Sequence, residues 1–156
     1  QRQGLEERVA VPLAGLVDEL LNAQAARIEG KQLRVEQRIA PELELHGEPF
    51  LLRQALGNLL ENALDFTPAQ GVLRFSAERI GAQIEFRLFN QADPIPDYAL
   101  PRLNERFYSL PRPASGRKST GLGLNFVQEV ALLHGGELAL RNVEGGVRAS
   151  LHLPLT

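Results

Sequence analysis

The 156-residue sequence contains no cysteine, which excludes a disulfide framework, thiolate metal ligation and redox chemistry carried by sulfur. Long hydrophobic runs are missing too. No apolar stretch approaches the roughly 20 residues needed to span a bilayer, and the opening QRQGLEERVAV has neither the apolar core nor the cleavage site of a signal peptide. The chain as given therefore reads as soluble. Charge of one sign is scarce: the formal net charge is -2 and no long Lys/Arg run occurs. The electrostatic footprint that attracts a phosphate backbone or an anionic membrane is missing, so nucleic acid is not an expected partner. There is no initiating methionine, and the sequence reads as a piece of something longer.

What is there suits one core. Hydrophobic residues make up 44% of the chain, enough at this length to bury most of the surface an unfolded chain exposes. Residues 1–8 are polar and read as the end of a preceding helix or a linker, with the domain proper over 9–156. Leu13, Leu16, Val17, Leu20, Leu21 and Ala25 recur at helical spacing, which predicts one amphipathic helix closed by Gly30 as its C-terminal cap. Leu33, Val35 and Ile39 suggest a strand, Leu43 and Leu45 a second, and Pro49 suits the start of a helix. That helix runs from Phe50 to Phe66 and stops at Thr67-Pro68, because proline disfavours a helical residue before it. Strands are expected over Val72–Arg79 and Ala82–Asn90 as an antiparallel pair, with Ile84, Phe86 and Leu88 facing a core. Gln91 to Thr120 holds five of the ten prolines and reads as a long loop, with a helical possibility only at Tyr98–Arg106; loops of that length are usually lids or disordered. Gly121–His134 reads as a helix stopped by Gly135-Gly136, and Leu138–Asn142 with Val147–Leu153 as a closing hairpin. The economical packing is an α+β two-layer sandwich: a mixed, mostly antiparallel sheet covered on one face by three helices.

Two segments could carry chemistry. In LLRQALGNLLENALDFT, about 100° of rotation per residue places Leu52, Ala55, Leu56, Leu59, Leu60 and Ala63 on one buried face. Gln54, Asn58, Asn62 and Asp65 fall within roughly 40° of one another's mean direction, forming a polar ridge. Asparagine is a mediocre helix former, and an amide carbonyl is a hard, uncharged oxygen able to hold Mg²⁺ without opposing phosphates. The same amides would equally suit a solvated polar face. In STGLGLNFV, Gly121 and Gly123 open a helix, where unpaired backbone N–H groups and the dipole favour an anion and glycine allows close approach. Lys118 and Arg117 lie just upstream. Alone, this pattern also fits ordinary turn chemistry.

In their order along the chain, these segments resemble the catalytic domain of sensor histidine kinases, within the ATPase superfamily that includes gyrase and heat-shock chaperones, and the Bergerat-type sandwich that goes with it. RQALGNLLENALDFT resembles the family's N box, ERFYSL its F box and GRKSTGLGLNFVQEVALLHGGEL its G2 box; the stretch from ERFYSL to GLGL is similar to one branch of these kinases. The resemblance implies ATP and Mg²⁺ as cofactors, with Asn62 the Mg²⁺ ligand and Asn58 beside the triphosphate. It implies Phe66 at the adenine, Arg106 and Phe107 in a lid that includes Lys118, Ser119 and Thr120, and backbone donors at Gly121, Leu122, Gly123 and Leu124. Asn90, Ala92 and Ile95 fall in the adenine-binding loop. Implied partners are the protein's own dimerisation domain bearing a phosphoacceptor histidine and a cognate response regulator. The full-length protein would be a homodimer anchored in the bacterial inner membrane, this domain lying in the cytoplasm.

The sequence departs from the family pattern in particular places. Asp65 stands where many members carry a phosphate-contacting lysine, and a carboxylate there repels phosphate unless a metal lies between. NQADPIP replaces DxGxG, so Asn90 keeps a carbonyl acceptor, while Ala92 and Pro94 predict a different backbone in that loop. Asn104 takes a position that is commonly aromatic. These departures open a second reading, a degenerate domain that binds nucleotide weakly or not at all and serves as a regulatory or docking module. None of His46, His134 and His152 has phosphoacceptor-like neighbours, and each is expected to be structural or solvent-facing. Glu48 and Glu61 are expected to be ordinary helix residues.

Overall fold

The computed structural model describes residues 8–102 and 122–155. Seven strands and four α-helices follow in the order β1 (Val9–Pro12), α1 (Leu13–Ala23), α2 (Ala25–Gly30), β2 (Arg34–Arg38), β3 (Glu44–Gly47), α3 (Pro49–Phe66), β4 (Val72–Ile80), β5 (Gln83–Gln91), α4 (Leu122–Leu133), β6 (Glu137–Val143) and β7 (Gly146–Pro154). Five strands make one sheet in the order β2-β4-β5-β7-β6, and β1 and β3 form a separate two-stranded ribbon. Only β2 and β4 run parallel in the main sheet; the other pairs are antiparallel. The expected mixed, mostly antiparallel α+β sandwich is what forms.

Alternation along the strands divides the sheet's two faces. Leu73 and Phe75 of β4, Ile84, Phe86 and Leu88 of β5, and Ala149, Leu151 and Leu153 of β7 are buried in one core with Leu13, Leu16 and Val17 of α1, the apolar stripe of α3, and Val127, Val130 and Ala131 of α4. On the opposite face, Arg74 stacks on Phe89. There Glu85 is buried between Arg87 and His152, and the Arg87 hydrogen bond holds its carboxyl below the usual carboxylate range.

The sequence-based expectation of one helix from Leu13 to Gly30 is corrected. The helix breaks at Gln24 (φ -108, ψ 16), which turns α2 against the C-terminal end of α3, where Arg27 and Lys31 find partners. Gly30 is the last helical residue of α2 rather than its cap; Lys31 is the C-cap, and the left-handed backbone that ends the segment falls on Gln32 (φ 55). β1, within a stretch to which the periodicity assigned no element, forms because Val9–Pro12 pairs with Glu44–Gly47, a partner more than thirty residues away in the chain. Of the helical expectation at Tyr98–Arg106, the described part holds one 3-10 turn, Leu100–Arg102.

Candidate functional site

α3 is fixed at both ends. Glu48 is its N-cap, not an ordinary helix residue: its carboxylate accepts from the Leu51 N–H at 2.8 Å, and Pro49 takes the first helical position, where a missing N–H costs nothing. At the other end the buried Thr67 hydroxyl donates to the Ala63 carbonyl at 2.6 Å. Lys31 Nζ donates to the Leu64 and Thr67 carbonyls, each at 2.6 Å, a cation set against the negative end of the dipole. Burial, with Arg27 nearby, pulls the Lys31 pKa below its ordinary value. The ridge between these caps is thereby rigid. The buried residues of α3, from Leu52 to Leu64, include every position assigned to its apolar face.

Asn58 and Asn62 are half-buried, and among the described residues neither amide has a hydrogen-bond partner. Asp65 and Phe66, also half-buried, end the same helix. Asp65 does not stand as a lone carboxylate: its Oδ1 lies 2.7 Å from Arg27 Nη2, and Arg27 Nη1 lies 3.5 Å from Glu61 Oε2. Sequence reasoning missed Arg27 because an arginine on a short helix carries no local signal for the turn of chain it will meet.

α4 reaches this ridge from the other direction. His134, immediately after α4, is buried; its Nε2 accepts from the Glu48 N–H at 3.1 Å and its Nδ1 lies 2.8 Å from the Val130 carbonyl. Burial is the chief cause that lowers its pKa, so it is a neutral fastener between the end of α4 and the start of α3. The two helices pack side by side and therefore run antiparallel. Twelve residues of α4 span about 18 Å, which carries its first turn to the level of Leu60, between Asn58 and Asn62. On ideal helix geometry that level puts Leu122, Gly123 and Leu124 in the turn of α4 nearest the two amides. Leu124 packs against the core, and among the described residues nothing lies within 4 Å of where a Cβ on Gly123 would stand. Among the described residues the helix spans Leu122–Leu133. Arg106, Phe107, Lys118, Ser119, Thr120 and Gly121 lie outside the described residues, as does Asn104.

Asn90 stands near the end of β5. It is 8% exposed on the helix-facing side of β5, in alternation with Leu88 and Phe86, and its Nδ2 has a long 3.5 Å contact to the Gln91 carbonyl. The loop beyond it needs no left-handed residue: outside glycine, positive φ occurs among the described residues only at Gln32 and Gln70, so Ala92 carries no such strain. Instead the loop is clamped from β6. Asn142 Oδ1 accepts from the Ile95 N–H and its Nδ2 donates to the Ile95 carbonyl, both at 2.8 Å. Asn142 was legible only as an asparagine inside a strand, where that residue is depleted. Gly146, the first residue of β7, lets the strand approach: a Cβ there would meet the Asn90 carbonyl oxygen at 2.2 Å.

Among the described residues no group of three or more His, Asp or Glu side chains could hold a metal ion. An open groove of about 640 Å³ between α1, α2 and β2, lined by Leu21, Ile28, Leu33 and Val35, contains none of the predicted site residues. No helix among the described residues is long and apolar enough to cross a membrane.

The half-buried asparagines of α3, the α4 helix packed against it and the buried Asn90 near the end of a central strand are the elements that the sequence resemblance singled out. Residues 47–156 match the model of the histidine kinase-, DNA gyrase B- and HSP90-like ATPase family, and the chain belongs to this family. It is 49% identical over 146 residues to the sensor protein CreC of Escherichia coli, covering 92% of this chain and 30% of CreC, so the chain spans about a third of the curated relatives it matches. Among solved structures it is similar to the nucleotide-free catalytic domain of the histidine kinase ThkA, with TM-score 0.86, 23% identity, and coverage of 96% of this chain and 99% of that one. It is also similar to ThkA in complex with the response regulator protein TrrA (TM-score 0.80, 22% identity, 96% of this chain and 42% of that one). Full-length ShkA in complex with AMPPNP gives TM-score 0.80 at 23% identity over 97% of this chain and 32% of that one. At these identities the solved structures establish the fold.

Proposed function

We propose that this domain binds Mg-ATP over the Asn58–Asn62 ridge and presents the γ-phosphate to a histidine on a separate dimerisation domain of the full-length protein. The observation that carries the reading is the pair of half-buried amides on a capped helix that packs against α4, without a hydrogen-bond partner among the described residues. The donor set suits Mg²⁺, which keeps few protein ligands and takes the rest from phosphates and water: Asn62 would supply its carbonyl oxygen, and the ion would supply neutralisation of phosphate charge. Asn58 lies beside the triphosphate. The backbone N–H groups of Gly121, Leu122, Gly123 and Leu124 receive the phosphates. Arg106, Phe107, Lys118, Ser119 and Thr120, which lie outside the described residues, are the further phosphate contacts that the family resemblance implies. Phe66, Ala92 and Ile95 border the adenine, and Asn90 accepts a hydrogen bond from its amino group through Oδ1.

In the transfer itself, a bond forms from the γ-phosphorus to the acceptor imidazole nitrogen as the bond to the β–γ bridging oxygen breaks, and ADP leaves. Such chemistry needs positioning and charge neutralisation more than acid–base groups, consistent with His134 and His152 being tied into the fold. The full-length protein is in this reading a membrane-anchored homodimer that passes its phosphoryl group to a response regulator, the class of partner seen with ThkA.

Calorimetric titration with ATP in the presence and absence of Mg²⁺ tests the proposal. Binding should be detectable and should weaken when the metal is chelated. Asn62→Ala should weaken Mg-ATP binding at least about ten-fold, about 1.4 kcal/mol, and remove the dependence on Mg²⁺. No binding at millimolar nucleotide overturns the reading and leaves a docking module, the alternative opened by Ala92 and Pro94.

A further inference from the structure

Rotation along α3 sets Asp65 within about 60° of both Asn58 and Asn62, and Glu61 precedes Asp65 by one turn on the flank toward α1. A triphosphate over the two amides would therefore lie beside two carboxylates, and unscreened like charges at such range oppose binding. One guanidinium meets both. Arg27 reaches from α2 with Nη2 2.7 Å from Asp65 Oδ1 and Nη1 3.5 Å from Glu61 Oε2, and Gln24 Nε2 adds a 3.4 Å contact to the same Glu61 oxygen. The planar fork of arginine suits two acceptors at once, which a lysine ammonium does not. Lys31, four residues on, sits within electrostatic range of Arg27 and Asp65, so among the described residues two cations stand against two carboxylates at this end of the ridge.

The direction of the pull matters as much as its charge. α3 packs against both α1 and α4. A Cβ on Gly57 would touch Leu20 of α1 at 3.6 Å, which marks the α1 flank of α3, and Arg27 approaches from the α2 helix that continues α1. The carboxylates are thus held on the α1–α2 flank of α3. As a mere fastener the pair would contribute little, because the Arg27 side chain is 38% exposed and exposed ion pairs are weak.

We propose that Arg27 is a positioning residue of the nucleotide site: its guanidinium neutralises Asp65 and Glu61 and keeps them on the α2 side, so that a triphosphate can lie over Asn58 and Asn62. This rests on the nucleotide reading above. The test is calorimetry of the 156-residue chain with Mg-ATP, ADP and adenosine, on the wild type, Arg27→Gln, Asp65→Asn and the double variant, with circular dichroism confirming the fold of each. Arg27→Gln should weaken Mg-ATP about ten-fold, ADP less, and adenosine not at all, and the loss should shrink at high salt as charge is screened. Asp65→Asn in the Arg27→Gln background should restore most of the affinity, since it removes the repelling charge. Equal Mg-ATP affinity in wild type and Arg27→Gln, an equal loss for adenosine, or failure of Asp65→Asn to rescue each overturns the inference while leaving nucleotide binding intact. A wild-type chain that binds none of the three overturns the nucleotide reading, and this inference with it.

Discussion

The imidazole of His134 is held in one tautomer by its neighbours, Nδ1 donating to the Val130 carbonyl and Nε2 accepting from the Glu48 N–H. A proton on Nε2 would face that N–H, and burial already disfavours the charged form,. The folded pKa lies below the ordinary 6.5, so the unfolded chain binds the proton more tightly. This contribution to stability is complete above pH 6.5 and is lost as pH falls below 6.5 through the lower native value. Urea unfolding midpoints should drop between pH 7.5 and 5, and an NMR titration should give His134 a pKa under 6.5; a pH-independent midpoint with an ordinary His134 pKa would contradict the assignment. Glu85, whose native pKa is also depressed, chiefly by Arg87, loses its contribution only at more acid pH, as pH falls below its ordinary 4.5,.

At the level of elements, the loop after β5 shows how one side chain can replace a backbone device. Pro94 lacks a donor and Ala92 is not left-handed, so the turn cannot rely on glycine conformations; the two Asn142 hydrogen bonds to Ile95 hold it to β6 instead. Asn142→Ala should therefore speed hydrogen exchange at the Ile95 amide while leaving α4 amides unchanged. In the nucleotide reading it should also weaken adenosine binding, because Asn90 and Ile95 border the same base. Unchanged Ile95 exchange would show that the clamp is idle. The boundaries of α3 were largely legible, since Pro49 and Thr67-Pro68 are local signals. The break at Gln24 was not, because the apolar stripe of Leu13 to Ala25 continues across it and only the contact of α2 with α3 makes a bend favourable.

For the whole molecule, α3 is the part on which both fold and site depend: its apolar face is the centre of the core and its outer ridge is the candidate site. Leu64, 0% exposed, precedes Asp65 in the chain. Leu64→Ala should cost about 2–5 kcal/mol, a large share of the 5–15 kcal/mol typical of a domain. Urea denaturation should show a lowered midpoint at unchanged slope. A cost within error of zero would mean that the ridge is not seated on this core.

The sequence by itself determined the faces. Rotation of 100° per residue separated the Asn58–Asn62 ridge from the apolar side of α3, and alternation in β5 put Phe86 and Leu88 inward while Glu85 and Arg87 went outward. Those are local periodicities that each segment carries alone, and the N-box letters lie almost wholly within α3. Tertiary structure decided the partners. The parallel pairing of β2 with β4, the Arg27–Asp65 contact across 38 residues, the Asn142–Ile95 clamp across 47 and the His134–Glu48 link across 86 all join elements distant in the chain. No propensity or spacing encodes which side chain will meet which across such distances, because that follows from how rigid helices and a twisted sheet pack once their apolar faces are buried together.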